Sequence, residues 1–136
     1  SRSSKVSQIA GRSATSILIY DEPAKVQLRL IGTAHVDTGE IADLSWQSST
    51  TFARRCYMAE AAPGSISGQP TSGLPKWIEG KQPDESQLIQ ARENFAALVV
   101  TINNIEWLYL ANAGHRRATW DWHEAELEWL GRWLVP

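Results

Sequence analysis

The segment Val26 to Val36 carries the periodicity that most restricts how this chain can fold. Leu28, Leu30, Ala34 and Val36 fall on one side of a two-residue repeat, and Gln27, Arg29, Thr33 and His35 on the other. Such a repeat belongs to a strand with one face on a core and one toward water. Gly32, in the middle of it, predicts a bulge or bend. A strand of this length needs neighbours, and the chain supplies them. Thr15 to Tyr20 is a continuous apolar, β-branched run that predicts a buried strand, followed by a turn at Asp21-Glu22-Pro23-Ala24. Ala96 to Ile102 predicts another, and Glu106 to Leu110 a further one after Asn103-Asn104. Asn112-Ala113-Gly114 predicts a hairpin turn. His115 to His123 alternates again, with Arg116, Ala118, Trp120 and Trp122 on one face and Arg117, Thr119 and Asp121 on the other. Glu124, Glu126 and Glu128 alternate with Ala125, Leu127 and Trp129, which leaves strand and short helix both open.

Helical signals sit outside these strands. Val6 and Ile9 predict a short amphipathic helix over 3–11, and a helical stretch comes after Gly39 over roughly 41–58. Residues 61–83 hold Pro63, Pro70, Pro75 and Pro83 with Gly64, Gly68, Gly73 and Gly80, the composition of a long loop. Asp84 followed by Gln87 is a capping-box pattern, opening a helix expected to bury Leu88, Ile89, Ala91 and Phe95. The fold class is α+β, an antiparallel sheet or barrel with a few peripheral helices, built as a single domain over 1–136.

Composition and spacing set several function classes aside. With 13 Lys+Arg against 15 Asp+Glu, the net charge of -2 gives no general basic surface for nucleic acid. The longest apolar runs, Ile17 to Tyr20 and Phe95 to Val100, are too short to cross a bilayer as helices. One cysteine, Cys56, excludes an intrachain disulfide framework, and His35, His115 and His123 lack metal-ligand spacing, so no metal is expected. The first residue is Ser1, not Met, and no long apolar stretch comes after it; with the lone cysteine, this reads as a cytoplasmic protein without a signal peptide. Phosphate-loop, dinucleotide, Cys-x-x-Cys and His-Glu-x-x-His signatures are absent from the sequence. Seven Trp point to a core or an interface.

Three local groups have chemical potential. Arg2 and Lys5 stand at the mouth of a predicted helix, where cations and free N–H groups together suit a phosphate. Gln27 lies on the polar face of its strand, and its amide can both donate to and accept from a flat heteroaromatic ring. Arg116 and Arg117 come after the Ile105-Glu106-Trp107-Leu108-Tyr109-Leu110 strand across a turn, placed to meet an anion or water. Cys56 beside Arg54 and Arg55 allows a thiol of lowered pKa, or simply a buried or tolerated cysteine.

The order of these groups resembles that of the pyridoxamine 5'-phosphate oxidase-related FMN-binding split barrels. The likeness is carried by Ser1-Arg2-Ser3-Ser4-Lys5-Val6, by Val26-Gln27-Leu28-Arg29-Leu30-Ile31-Gly32-Thr33-Ala34 and by Arg54-Arg55-Cys56-Tyr57. Pro63-Gly64, Asn94-Phe95-Ala96, Ile105-Glu106-Trp107 and the closing Trp133-Leu134-Val135-Pro136 extend it nearly to the end of the chain. The resemblance implies an antiparallel Greek-key split β-barrel and a homodimer with FMN at its interface. It implies that Arg2 and Lys5 hold the FMN phosphate, that Gln27 touches the flavin ring, and that Arg116 or Arg117 reaches the cofactor from the partner subunit. Hydride transfer from a small-molecule substrate to flavin, with reoxidation by oxygen, is the usual reaction of the family.

The departures are informative. The oxidases have adjacent Arg-Lys where this chain interposes Ser3 and Ser4, and a Trp where it has Leu108. Their Arg-aliphatic-His-acid-Arg run is replaced by His115-Arg116-Arg117-Ala118-Thr119. This points away from pyridoxamine phosphate oxidation and toward the related branch of undefined substrate, with catalytic residues unknown. The family's opening strands precede the position of Ser1, so the domain is expected to lack them. Two alternatives stay open: a non-enzymatic split barrel binding another ligand such as haem or a deazaflavin, and a structural dimer built on the tryptophans and the acidic face at Glu124, Glu126 and Glu128.

Overall fold

A computed structural model describes residues 2–136. It contains helices α1 (Ser4–Gly11), α2 (Glu40–Ser48) and α3 (Thr51–Arg54), and strands β1 (Ala14–Asp21), β2 (Val26–Asp37), β3 (Ala97–Tyr109), β4 (Arg116–His123) and β5 (Glu128–Leu134). Short 3-10 turns cover Arg55–Met58, Ser86–Leu88 and Gln90–Asn94. The strands form one sheet in the order β1-β2-β3-β4-β5. Contacts group the chain into two compact units: the chain up to Arg12 together with His35–Val99, and Ser13–Ala34 together with Val100–Pro136.

The sheet unit obeys the period-two pattern closely. In β3 and β4, Trp107 pairs with Ala118, Ile105 with Trp120, Glu106 with Thr119 and Leu108 with Arg117. In β4 and β5, Ala118 pairs with Trp133, Trp120 with Gly131 and Trp122 with Trp129. Paired residues share a face, so Trp107, Trp120, Trp122, Trp129 and Trp133 line one side. Asn104, Glu106, Arg117, Thr119, Asp121 and Arg132 line the other. Cross-strand aromatic pairs hold the first face, with Trp107 and Trp133 edge-on at 6.1 Å and Trp122 and Trp129 at 5.5 Å.

Four sequence expectations are corrected in this unit. Gly32 makes no bend; β2 runs unbroken through it because the backbone of β3 comes so close that a Cβ there would lie 2.0 Å from the Thr101 carbonyl oxygen. Asn103-Asn104 does not divide two strands, because the Asn104 amide donates to Thr119 Oγ1 at 2.9 Å and Asp121 Oδ1 at 2.6 Å and so holds its place in the ladder. Residues 124–127 are a turn, with Leu127 at φ 52°, and β5 starts after it. Finally, β1 is a strand but not a buried one: Leu18 is 60 % exposed and Tyr20 53 %, since β1 is an edge strand paired with β2 alone.

The helical unit is organised around Trp46. Leu88 and Ala91 are buried with it, and Tyr57, Met58 and Phe95 pack against the group. Tyr57 and Phe95 meet the Trp46 ring edge-on at 5.8 and 5.4 Å. The helix expected over 41–58 is broken where Ser48 and Ser49 turn their hydroxyls back to the Ser45 carbonyl, and Thr50 caps α3 through the Ala53 N–H at 3.2 Å. The capping box at Asp84 and Gln87 forms reciprocally, each backbone N–H donating to the other's side chain at 3.0 Å. The segment opened by this box is 3-10 rather than α-helical. A three-residue period buries Leu88 and Ala91 and turns Ile89 outward, 72 % exposed against expectation. The long loop is tied at its foot, where Arg54 donates to both carboxylate oxygens of Glu85 at 2.9 and 2.7 Å and Arg55 to the Lys81 carbonyl at 2.6 Å.

Candidate functional site

On the polar face of the sheet unit, Gln27, Arg29, Glu106, Leu108, Arg117 and Pro136 line a cleft of about 210 Å³. Strand alternation puts these side chains there: Gln27 and Arg29 are two apart on β2, Glu106 and Leu108 two apart on β3, and Leu108 faces Arg117 on β4. Arg117 donates to Glu106 Oε2 at 3.1 Å, and Arg29 Nη1 lies 3.8 Å from the same oxygen. All three side chains are partly solvated, at 47 % for Arg29, 35 % for Arg117 and 24 % for Glu106. Each pair is therefore worth at most about 1 kcal/mol of stability, and its importance lies in where it holds the guanidinium groups. Among the described residues, the Gln27 amide has no side-chain hydrogen-bond partner, which leaves its donor and acceptor available to a ligand.

The two late arginines separate by face. Arg117 enters the cleft with Gln27, whereas Arg116 bends back onto its own turn, donating to the carbonyls of Gly114 at 3.2 Å and His115 at 2.9 Å. Arg29 and Glu106 are site residues that the sequence reading misses. Their signal is present in the chain: Arg29 shares the polar face of β2 with Gln27, and the face of Glu106 becomes clear once the pairing with β4 is known.

In the helical unit, Ser3 caps α1 weakly, its hydroxyl accepting from the Lys5 N–H at 3.4 Å. Arg2 does not reach outward. Its guanidinium donates to the carbonyls of Glu60, at 2.9 Å, and Ala59, and so fastens the start of the chain to the segment after Met58. Lys5 is exposed and borders a pocket of about 310 Å³ with Ser3, Tyr57, Pro63 and Leu98, and Arg2, Ser3, Tyr57 and Asn94 border a smaller one. The first turn of α1 thus combines an ammonium with the positive end of a helix. Burial pushes the Tyr57 phenol up, with Cys56 adding to the effect, so Tyr57 is a hydrogen-bond donor at neutral pH.

Cys56 is exposed, and its thiol donates to the Ala53 carbonyl at 3.1 Å. Loss of solvation raises its pKa, outweighing the opposing pull of its backbone hydrogen bond and of Arg55. The neighbouring arginines are directed elsewhere, Arg54 to Glu85 and Arg55 over the Phe52 ring at 4.3 Å. An activated thiolate is not built here. No cluster of three or more metal-ligating side chains occurs among the described residues, and no helix among them is long and apolar enough to cross a membrane.

No family model and no curated protein matches the chain. Solved structures do. A pyridoxamine 5'-phosphate oxidase-related, FMN-binding protein from Nostoc punctiforme matches with a TM-score of 0.77 and 20% sequence identity, over 99% of this chain and 69% of that one. PhzG from Burkholderia lata, solved in complex with tetrahydrophenazine-1-carboxylic acid, matches with a TM-score of 0.70 and 14% identity, over 99% of this chain. The chain spans 65% of the PhzG chain. These likenesses establish a shared fold, an α+β arrangement around an antiparallel sheet, with proteins of the family that the sequence resembles.

Proposed function

We propose, from a fold shared with pyridoxamine 5'-phosphate oxidase-related proteins, that this chain is an FMN-binding flavoprotein and an oxidoreductase acting on a small molecule other than pyridoxamine phosphate. The observation that carries this reading is the meeting of Gln27 and Arg117 in one cleft. Both are candidates for the flavin on family grounds, far apart in sequence and together in space within one chain, so Arg117 is taken to the cofactor from its own chain and not, as the resemblance implied, from the partner subunit. Each unit carries donors of a suitable kind: in the sheet unit an unengaged amide and a guanidinium fit the polar edge of a flavin, and in the helical unit the Lys5 ammonium at a helix start fits a phosphate. A bound flavin would supply the redox chemistry, as the acceptor of a hydride. Gln27 would orient the ring by donating to it and accepting from it, Arg117 would supply positive charge, and Lys5 with the first turn of α1 would hold a phosphate. Arg2 supports that turn from behind through its bonds to Ala59 and Glu60. Of the late arginines, Arg117 rather than Arg116 is assigned to the cofactor, and no catalytic acid or base is assigned.

Greek-key closure of the barrel, a homodimer with FMN at its interface and a cytoplasmic location belong to the same proposal. The dimer is supported by large apolar side chains left open on the edge strands, Leu18 and Tyr20 on β1 and Trp133, 74 % exposed, on β5. A second reading, a split barrel serving another ligand such as haem or a deazaflavin, is favoured by Leu108 in the cleft where the oxidases place a Trp.

The visible spectrum of the purified protein, followed by titration with FMN under flavin fluorescence, separates these. Wild type is expected to take up FMN, and Lys5→Ala and Gln27→Ala each to weaken it about tenfold, a loss of ~1.4 kcal/mol. Unchanged affinity in both variants would sink the site assignment. Failure of wild type to bind FMN, with a haem or deazaflavin spectrum instead, selects the second reading.

A further inference from the structure

Glu106 is placed unusually for a surface ion pair. One of its carboxylate oxygens is shared by two arginines from different strands, Arg117 at 3.1 Å on β4 and Arg29 at 3.8 Å on β2. A simple cross-strand pair needs one cation. Here two positive charges converge on one negative charge, leaving an excess of one positive charge beside the unengaged amide of Gln27. Both arginines are partly solvated and need no counter-charge to be stable. Holding two like-charged side chains at one point therefore does more for the cleft than for the fold. Glu106 is the group that allows it.

We propose that Glu106 is a positioning residue of the flavin site: it gathers Arg29 and Arg117 at the cleft and, by cancelling one of their charges, sets the reduction potential of FMN bound beside Gln27. This rests on the FMN reading above. On taking up two electrons and one proton, FMN gains one negative charge. A positive charge held nearby favours the reduced form, and a negative one opposes it. Glu106→Gln removes the negative charge while keeping a carbonyl oxygen to accept from Arg117. Reduced FMN is then expected to gain about tenfold in affinity relative to oxidised FMN, which is ~30 mV upward for a two-electron couple. Arg29→Met is expected to move the potential in the opposite direction, and Glu106→Asp, which restores the charge, to return it to the wild-type value.

The test is the midpoint potential of FMN bound to the full chain, with xanthine and xanthine oxidase supplying electrons and a reference dye reporting the potential. FMN binding to wild type is measured first. If wild type takes up no FMN, the flavin reading itself fails and this inference falls with it. If FMN binds and the potential rises in Glu106→Gln and falls in Arg29→Met, the assignment holds. If FMN binds and both variants keep the wild-type potential, the inference alone is overturned and Glu106 is a structural ion-pair partner. Circular dichroism checks that each variant is folded. Should Glu106→Gln fail that check, Arg29→Met, a change at a half-exposed side chain, decides the matter by itself.

Discussion

Replacing Gly32 by alanine tests how the longest strands are joined. In β2, a Cβ at Gly32 would lie 2.0 Å from the Thr101 carbonyl oxygen, 2.8 Å from its carbon and 2.9 Å from Ile102 Cα. These are backbone atoms, so no rotamer change relieves the overlap, and β3 must move by about 1.4 Å or more to restore ordinary contact. Overpacking of this kind costs about 1–3 kcal/mol, and a weakened ladder hydrogen bond about 1 kcal/mol more. The reduced freedom of the unfolded chain offsets about 0.5–1 kcal/mol. The net expectation is about 2 kcal/mol. With an unfolding entropy of about 2.1 cal/mol/K per residue, a chain of 136 residues should then lose about 8 °C in Tm. Gly131 provides the contrast, because a Cβ there meets Trp120 Nε1 at 2.5 Å and Cδ1 at 2.8 Å, an indole side chain that can swing aside. Gly131→Ala should cost about 1 kcal/mol. Gly11→Ala, with nothing within 4 Å, should be neutral or slightly stabilising. Thermal melts monitored by circular dichroism measure all three. A Gly32→Ala protein that melts with wild type, or above Gly131→Ala, refutes the close backbone approach.

Three further outcomes concern other side chains. Glu85→Ala leaves the Arg54 guanidinium, whose side chain is 9 % exposed, without its counter-charge, and should cost about 2 kcal/mol in urea unfolding. Arg54→Met should cost less, since Glu85 is 69 % exposed and rehydrates freely; the reverse order would contradict the account. Alkylation of Cys56 by iodoacetamide should still be accelerating above pH 9.0, because desolvation raises the thiol, and a plateau near neutrality would show an activated thiolate instead. The Asp121 carboxyl is held below its ordinary 3.8, first by the Asn104 amide and then by Arg132. Its contribution is therefore present above that value and is lost as pH falls through the lower folded one. Asp121→Asn should lower the urea midpoint at about pH 6 and leave it unchanged at about pH 2; an equal effect at both would remove Asp121 as the cause.

The features legible in the sequence are local ones. The alternation of Val26 to Val36 and of His115 to His123, the reciprocal box at Asp84 and Gln87, and the turn ending at Gly114 are all decided within a few residues, and each forms. The features misread are decided at a distance. Thr15 to Tyr20 has the composition of a buried strand, but its burial depends on what lies beyond β1 in the sheet, and here that position is the edge. Asn103-Asn104 looks like an interruption until Thr119 and Asp121 accept from Asn104 across the ladder. An α-helical period places Ile89 inward, whereas the chain winds by threes. The site shows the same division. Gln27 can be picked out by its face, but which of Arg116 and Arg117 enters the cleft, and that Arg29 and Glu106 line it, depends on pairing across three strands.

The hairpin between β3 and β4 makes the lining of the cleft depend on counting rather than on matching. Leu108 faces Arg117 and Tyr109 faces Arg116, so adjacent arginines point to opposite sides of the sheet. A slip of one residue in that pairing exchanges every side chain of β4 between the polar cleft and the tryptophan face. Arg116 would then enter beside Gln27, and Arg117 would stand among indoles. Whether a related chain retains this site is consequently a question of odd or even spacing between its glutamate and its arginine. A relative with identical residues and one inserted position that shifts the pairing would lose the cleft, while one with a different turn and the same parity would keep it.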